Sequence, residues 1–203
     1  MIEVDVRKSY GNFTLNAKFK ASGIIGITGK NGSGKTTLLN IIAGIVKPDL
    51  GYVKVNSIDV TNLDISKRNI IFINQDSYIP TLKVMDHLLW GFKVRSMKVD
   101  KDKVNEVAKA LGVPLNDSDK KVAKLSLGNR IRVALATALL VKPSVVLVDE
   151  AFSNIDNKEE FMKAVFTICK REGIDLVFTT QDSHEVMLGN NSYKIEKGTL
   201  LEL

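Results

Sequence analysis

The segment Gly29-Lys30-Asn31-Gly32-Ser33-Gly34-Lys35-Thr36 fits the pattern G-x-x-x-x-G-K-[ST], and with its flanks it constrains the fold more than any other feature of the chain. Before it, Gly23-Ile24-Ile25-Gly26-Ile27-Thr28 reads as a short buried strand. After it, Thr37-Leu38-Leu39-Asn40-Ile41-Ile42-Ala43-Gly44 has the apolar spacing of a helix start. A strand that turns sharply into a helix aims a row of backbone N–H groups, together with the positive helix end, at one point in space. Glycines let that backbone wrap an anion without Cβ clashes. Lys35 adds a mobile positive charge for β- and γ-phosphates, and Thr36 offers a hydroxyl to Mg²⁺. Residues 29–37, from Gly29 through Thr37, are therefore candidate binding residues for a nucleoside triphosphate.

A chain of 203 residues suits one domain, or one domain with an inserted lobe. No apolar run approaches the length of a membrane span. Glu3 and Asp5 alternate with Ile2, Val4 and Val6, so the amino terminus reads as a strand rather than a secretory leader. Cys169 is the only cysteine, which excludes an internal disulfide; its neighbours Phe161, Val165, Phe166 and Ile168 recur at helical spacing and predict a buried, inert thiol. The net charge of +6 is compatible with polyphosphates, nucleic acid or an anionic surface. No block of basic residues interleaved with aromatics is present, so no specific nucleic-acid partner is expected.

Strand-like alternation runs over 2–7, 13–19 and 52–55, with Tyr10-Gly11-Asn12 as a turn between the first two. Ile70–Ile73, Val145–Val148 and Ile174–Thr180 are continuous apolar runs, the pattern of strands covered on both faces of a mostly parallel sheet. Between them the period becomes helical. Val84, His87, Leu88 and Trp90-Gly91-Phe92 form one segment, Val104 to Leu111 a second, and Ile131 to Leu139 a third. Trp90 and Phe92 are expected in the core of this lobe, and His87 at its surface or in packing. The expected fold is α/β: a single domain over 1–203, with a nucleotide-binding core of about 1–78 and 142–203, an antiparallel β edge at the amino terminus, and a helical subdomain inserted over about 79–141.

The apolar run Val145–Val148 ends in Asp149-Glu150. Asp149 at a strand tip can hold Mg²⁺ through water beside Thr36, and Glu150 can polarise an attacking water. Leu125-Ser126-Leu127-Gly128-Asn129-Arg130 precedes a helix and ends 19 residues before Asp149. It resembles the LSGGQ signature of ATP-binding cassette (ABC) ATPases. The resemblance covers essentially the whole chain, with the motifs in the family's order, and it implies a P-loop NTPase core. It further implies that Tyr10 stacks on adenine, although an ordinary hairpin aromatic also fits there. Gln75 falls at the family's Q-loop, a hinge sensing Mg²⁺ and water; a solvated loop residue is the alternative. Ser153-Asn154-Ile155-Asp156 resembles the D-loop, with Asp156 at the dimer contact and compatible with a helix cap. Thr180-Gln181-Asp182 lies where the family carries its switch histidine. The implied ligands are ATP and Mg²⁺. Lys35, Gln75, Glu150 and Gln181 are the implied catalytic group, and Thr36, Gln75 and Asp149 the metal group. Ser126, Gly128 and Asn129 would cap ATP held by a second subunit.

Three departures bear on mechanism; one is Asn129, where the signature ends in glutamine. Leu127 replaces a glycine of the signature, where a side chain would restrict the backbone and crowd the partner unless it points away. Gln181 replaces the switch histidine, and glutamine carries no titratable charge. Slow but nonzero hydrolysis is the expectation, with His184 placed too far along the next helix to substitute. The resemblance implies an importer-like energy-coupling subunit, peripheral on the cytoplasmic face of the membrane. Its partners would be a second ATPase subunit, identical or related, and a membrane-spanning permease received near Tyr78–Val84. The importer branch that includes molybdate, tungstate and sulfate systems is the nearest in flavour; many of those ATPases carry a further carboxy-terminal domain, whereas this chain stops at Leu203. A nucleotide-gated regulatory or assembly module, or the weaker half of a heterodimer, is the competing reading.

Overall fold

The computed structural model describes residues 1–203. Ten strands form one mixed sheet. In chain order they are β1 (Ile2–Tyr10), β2 (Phe13–Ala21), β3 (Ile24–Thr28), β4 (Leu50–Val55), β5 (Ile58–Asp59), β6 (Ile70–Ile73), β7 (Val145–Asp149), β8 (Asp175–Thr180), β9 (Asn191–Glu196) and β10 (Thr199–Glu202). Across the sheet the order is β5-β4-β1-β2-β10-β9-β3-β8-β7-β6. β9, β3, β8, β7 and β6 are parallel to one another, whereas β5, β4, β1 and β2 form an antiparallel edge. β10 folds back antiparallel on β9 and meets β2 in parallel through one register pair, Thr199 with Asn16.

The parallel strands are apolar on both faces because both faces are covered. Along β7, Val146 and Val148 enter one hydrophobic cluster while Val145 and Leu147 enter the other, the period of two expected of a pleated strand. The Val145/Leu147 face packs with Leu38, Leu39, Ile41 and Ile42 of α1 (Lys35–Ala43). The opposite face packs on α4 (Leu127–Leu140), α5 (Lys158–Glu172) and the short α6 (Ser183–Val186). Between β6 and β7 the chain forms α2 (Val84–Val94), α3 (Lys101–Ala110) and α4, and their apolar faces join that same cluster. No helix is long and apolar enough to cross a membrane.

Several sequence expectations need correction. β1 continues through Tyr10, so the turn is only Gly11-Asn12. β9 and β10 were not anticipated. Trp90 is not core: it is 39% exposed on α2, whereas Phe92 is buried as expected. Of the two places left open for His87, surface or packing, the structure has packing: it is only 4% exposed. Cys169 is buried, and desolvation pushes its thiol up to about 12, which suits an inert packing role.

Candidate functional site

β3, β7 and β8 are adjacent and parallel, so their carboxyl ends open on one rim of the sheet. The 29–34 loop leaves β3 at that rim and enters α1. Gly34, immediately before α1, has φ 113, and a Cβ there would stand 2.9 Å from the Phe13 ring; both facts require glycine. A cleft of about 590 Å³ opens over the loop, lined among others by Asn31, Gly32, Lys35, Thr36, Thr37, Gln75, Asp149 and Glu150.

Lys35 is 4% exposed, and its ammonium donates to the carbonyls of Gly29 (2.7 Å) and Lys30 (3.2 Å) while pairing with the Glu150 carboxylate at 3.0 Å. A buried ammonium needs an anion, and here Glu150 supplies it. An incoming polyphosphate would compete for the same charge. Ser33 Oγ is buried in the cradle without a hydrogen-bond partner, a group that an anion's oxygen would satisfy. Opposite, Thr36 Oγ1 donates to Asp149 Oδ2 at 2.7 Å. A hydroxyl and a carboxylate facing each other make an all-oxygen pair suited to Mg²⁺, which takes few protein ligands and fills its shell with water and phosphate.

The two acids are aimed by β8. Thr179 Oγ1 donates to Asp149 Oδ1 at 2.6 Å and accepts from the Glu150 N–H at 3.1 Å. Glu150 itself has φ 51, a left-handed conformation that costs an L-residue about 1–2 kcal/mol. The turn is anchored beneath by Phe152, packed edge-on against Phe161, Phe166 and Phe178 with centroids 5.8–6.5 Å apart. Gln181 Nε2 donates to Glu150 Oε2 at 3.2 Å, so Glu150 is held between Lys35 and Gln181. His184 lies exposed on α6 and takes no part. Just beyond Gln181, Thr180 Oγ1 donates to Glu185 at 2.7 Å, and Glu185 pairs with Lys158 at the start of α5.

Not every expected residue lies in the cleft. Tyr10 is 48% exposed, has Lys8 against its ring, and stands one strand behind Phe13, which forms the wall itself. Ser126, Gly128, Asn129 and Asp156 form a separate corner on the surface. Ser126 Oγ is exposed and accepts from the Asn129 N–H, which makes it the amino-terminal cap of α4. Leu127 is the first helical residue and packs on the monomer's own core, so it does not crowd the corner. A Cβ on Gly128 would lie 2.8 Å from the Asn154 carbonyl, which shows how closely the signature backs onto the following loop. Arg132 on α4 fixes that loop by donating to the Asp156 carbonyl at 3.0 Å. Asp156 does not cap α5: Asn157 precedes that helix, and no side chain bonds its amino terminus.

Phe13, Thr179, Lys158, Glu185 and Arg132 were missed from sequence. Only the two arginines that follow the signature, Arg130 and Arg132, carried a readable hint, as charges in an otherwise apolar helix. Behind the cleft lies a second, mostly apolar groove of about 450 Å³, where residues 71–79 meet α2 and α4; Tyr78, Ile79, Trp90 and Val94 are among its walls.

Residues 13–153, well over half the chain, match the family model described as ABC transporter. The molybdate/tungstate import ATP-binding protein WtpC of Archaeoglobus fulgidus is 36% identical over 214 positions, covering 100% of this chain and 88% of that protein. The protein of the same description from Pyrococcus abyssi is also 36% identical but longer, and the match spans 53% of its length. Two solved structures are similar throughout. A dimeric bacterial ABC transporter cassette superposes with a TM-score of 0.85 at 25% identity, covering 98% of this chain and 96% of that one. A dimeric cassette in a post-hydrolysis state with ADP and Pi gives 0.84 at 26% identity, covering 100% and 98%.

Proposed function

The chain belongs to the ABC transporter family of ATP-binding proteins, and from that premise we propose that it drives solute import by closing on a second ATPase subunit around ATP, under a membrane-spanning permease. The observation that carries this reading is the convergence of Lys35, Thr36, Asp149, Glu150 and Gln181 on one cleft, with an apolar groove immediately behind it.

In the closed state the 29–37 backbone and Lys35 hold the phosphates, Ser33 gains its missing partner, and Tyr10 stacks on the base from the cleft's outer edge. Thr36, Asp149 and Gln75 hold Mg²⁺, which neutralises phosphate charge when bound. Lys35 moves from Glu150 to phosphate, which frees the Glu150 carboxylate to take a proton from the attacking water. Gln181 keeps that carboxylate oriented through its amide. Ser126, Gly128, Asn129 and Asp156 face the second subunit, and the exposed α4 amino terminus offers its N–H groups to the partner's γ-phosphate. Residues 79–141 move as a helical subdomain against the core formed by 1–78 and 142–203. The groove takes a short permease helix, which places the chain peripherally on the cytoplasmic face of the membrane. Cargo selection then belongs to the permease.

The test uses two variants. Glu150→Gln keeps ATP binding and traps an ATP-bound dimer, visible by sedimentation velocity, with turnover lowered about 10²–10⁴-fold. Lys35→Ala weakens ATP binding roughly ten- to hundredfold through the lost charge-assisted contacts. A Glu150→Gln protein that stays monomeric at saturating ATP refutes the sandwich.

A further inference from the structure

His87 is a buried titratable group that nothing above uses. It lies in the first turn of α2, and both ring nitrogens are engaged. Nε2 receives the Ile79 backbone N–H at 3.1 Å, and Nδ1 lies 2.9 Å from Thr137 Oγ1 on α4. A backbone amide can only donate, so Nε2 must be bare and Nδ1 must carry the proton. The chain of donors is then complete. Nδ1–H donates to the Thr137 hydroxyl, whose own hydrogen is given to the Val133 carbonyl at 2.8 Å. The imidazole is a bracket joining three pieces of chain: α2, α4 and the end of the loop that starts at Gln75.

That loop has the nucleotide cleft at one end and the apolar groove at the other. Gln75 lines the cleft and Ile79, four residues on, lines the groove. Its groove end has two side-chain anchors. Arg130 of α4 donates to the Tyr78 hydroxyl at 2.9 Å and lies over its ring, and His87 accepts from Ile79. The Arg130 anchor is a bond from a guanidinium, which has donors only. The His87 anchor lasts only while Nε2 is unprotonated. A second proton would set N–H against N–H across the 3.1 Å contact that the Ile79 amide now makes.

We propose that His87 is a positioning residue for the coupled reaction: as the neutral Nδ1–H tautomer it pins Ile79 so that the 75–79 loop transmits between cleft and groove, and protonation releases it. This rests on the reading of that groove as the permease site and adds to it a proton-dependent latch. The groups facing the ring do not favour its cation. The groove wall that includes the ring carries Asp76 and Tyr78 from the loop, Thr137 from α4 and Arg95 just past α2, with Arg130 on Tyr78 and with Lys83 and Asp86 near His87 in sequence; the ring itself bonds only to the neutral Ile79 and Thr137. Burial lowers the imidazole from its ordinary value near 6.5, so the latch is closed at neutral pH and opens on the acid side of that value.

The direct measurement is NMR on the intact chain between pH 7.5 and 5.5, following the His87 ring nitrogens and the Ile79 amide. The expected result is a bare Nε2 at pH 7.5, with His87 and Ile79 changing together at one midpoint below 6.5. Functionally, the ratio of ATP turnover at pH 7.5 to that at pH 5.5 is compared within each protein. Wild type is expected to lose on the order of tenfold. H87Q places a non-titrating oxygen near Nε2 and flattens the ratio, whereas H87A is impaired at both pH values. A protonated Nε2 at pH 7.5, separate midpoints for His87 and Ile79, or the same acid limb in wild type and H87Q overturns the proposal. Absence of ATP turnover in wild type would overturn the transport reading instead, and the NMR titration would still decide the latch.

Discussion

At the scale of single residues, the departure that matters most is Gln181. Its amide reaches the Glu150 carboxylate, and in the proposed mechanism it would keep the orienting half of the switch role. What it lacks is a positive charge for the transition state. A charge-assisted contact exceeds a neutral one by roughly 1–2 kcal/mol, about five- to thirtyfold in rate. Gln181→His is therefore expected to raise steady-state turnover by about that factor, measured as phosphate release from the assembled complex; an unchanged or lower rate defeats this account. The phosphate loop and the Asp149-Glu150 pair were legible because the chemistry is local, with every residue type dictated within a few positions of its neighbour. Thr179 was not legible. It aligns both acids from the adjacent strand, and nothing in a row of apolar and threonine residues reveals which hydroxyl will face across a parallel ladder.

At the scale of elements, α4 carries the greatest burden. Its cap forms the Ser126 corner, its first two turns send Arg130 to Tyr78 and Arg132 to the Asp156 carbonyl, and further along it supplies Thr137 to the His87 bracket. Gly128 permits the close seat of this helix on Asn154. Gly128→Ala introduces a methyl where backbone already stands, so one of the two segments must shift, at about 1–3 kcal/mol. The expected outcome is a lower melting temperature and loss of the ATP-dependent dimer in a Glu150→Gln background, with the affinity of the 29–37 loop for ATP retained. The parallel strands and the helical run between them were readable from continuous apolar stretches and a change of period. β9 and β10 were not. In Asn191–Glu196 the outward positions are polar or charged and only Tyr193 and Ile195 point inward, and β10 is only four residues long.

At the scale of the molecule, α3 is tied to the core through charge. Glu172, at the end of α5, receives Lys103 from α3, Lys142 from the segment entering β7, and Arg171 beside it; Arg171 in turn pairs with Glu106 of α3. These bonds, the Lys103 contact foremost, hold the Glu172 carboxyl down to about 2. Because the folded value lies below the unfolded one near 4.5, the contribution to stability is fully present above that pH and fades as pH falls toward 2. Glu172→Gln should therefore lower the urea midpoint relative to wild type above pH 5, with the difference closing in acid; a pH-independent gap would contradict the assignment. The sheet order has a further consequence. β10 fills an interior slot between β2 and β9, although it follows both of them in the chain. Until it emerges, the nascent protein holds two half-sheets with raw inner edges, each a template for pairing with a neighbouring chain. A chain cut before Thr199 would thus be aggregation-prone rather than a slightly trimmed enzyme.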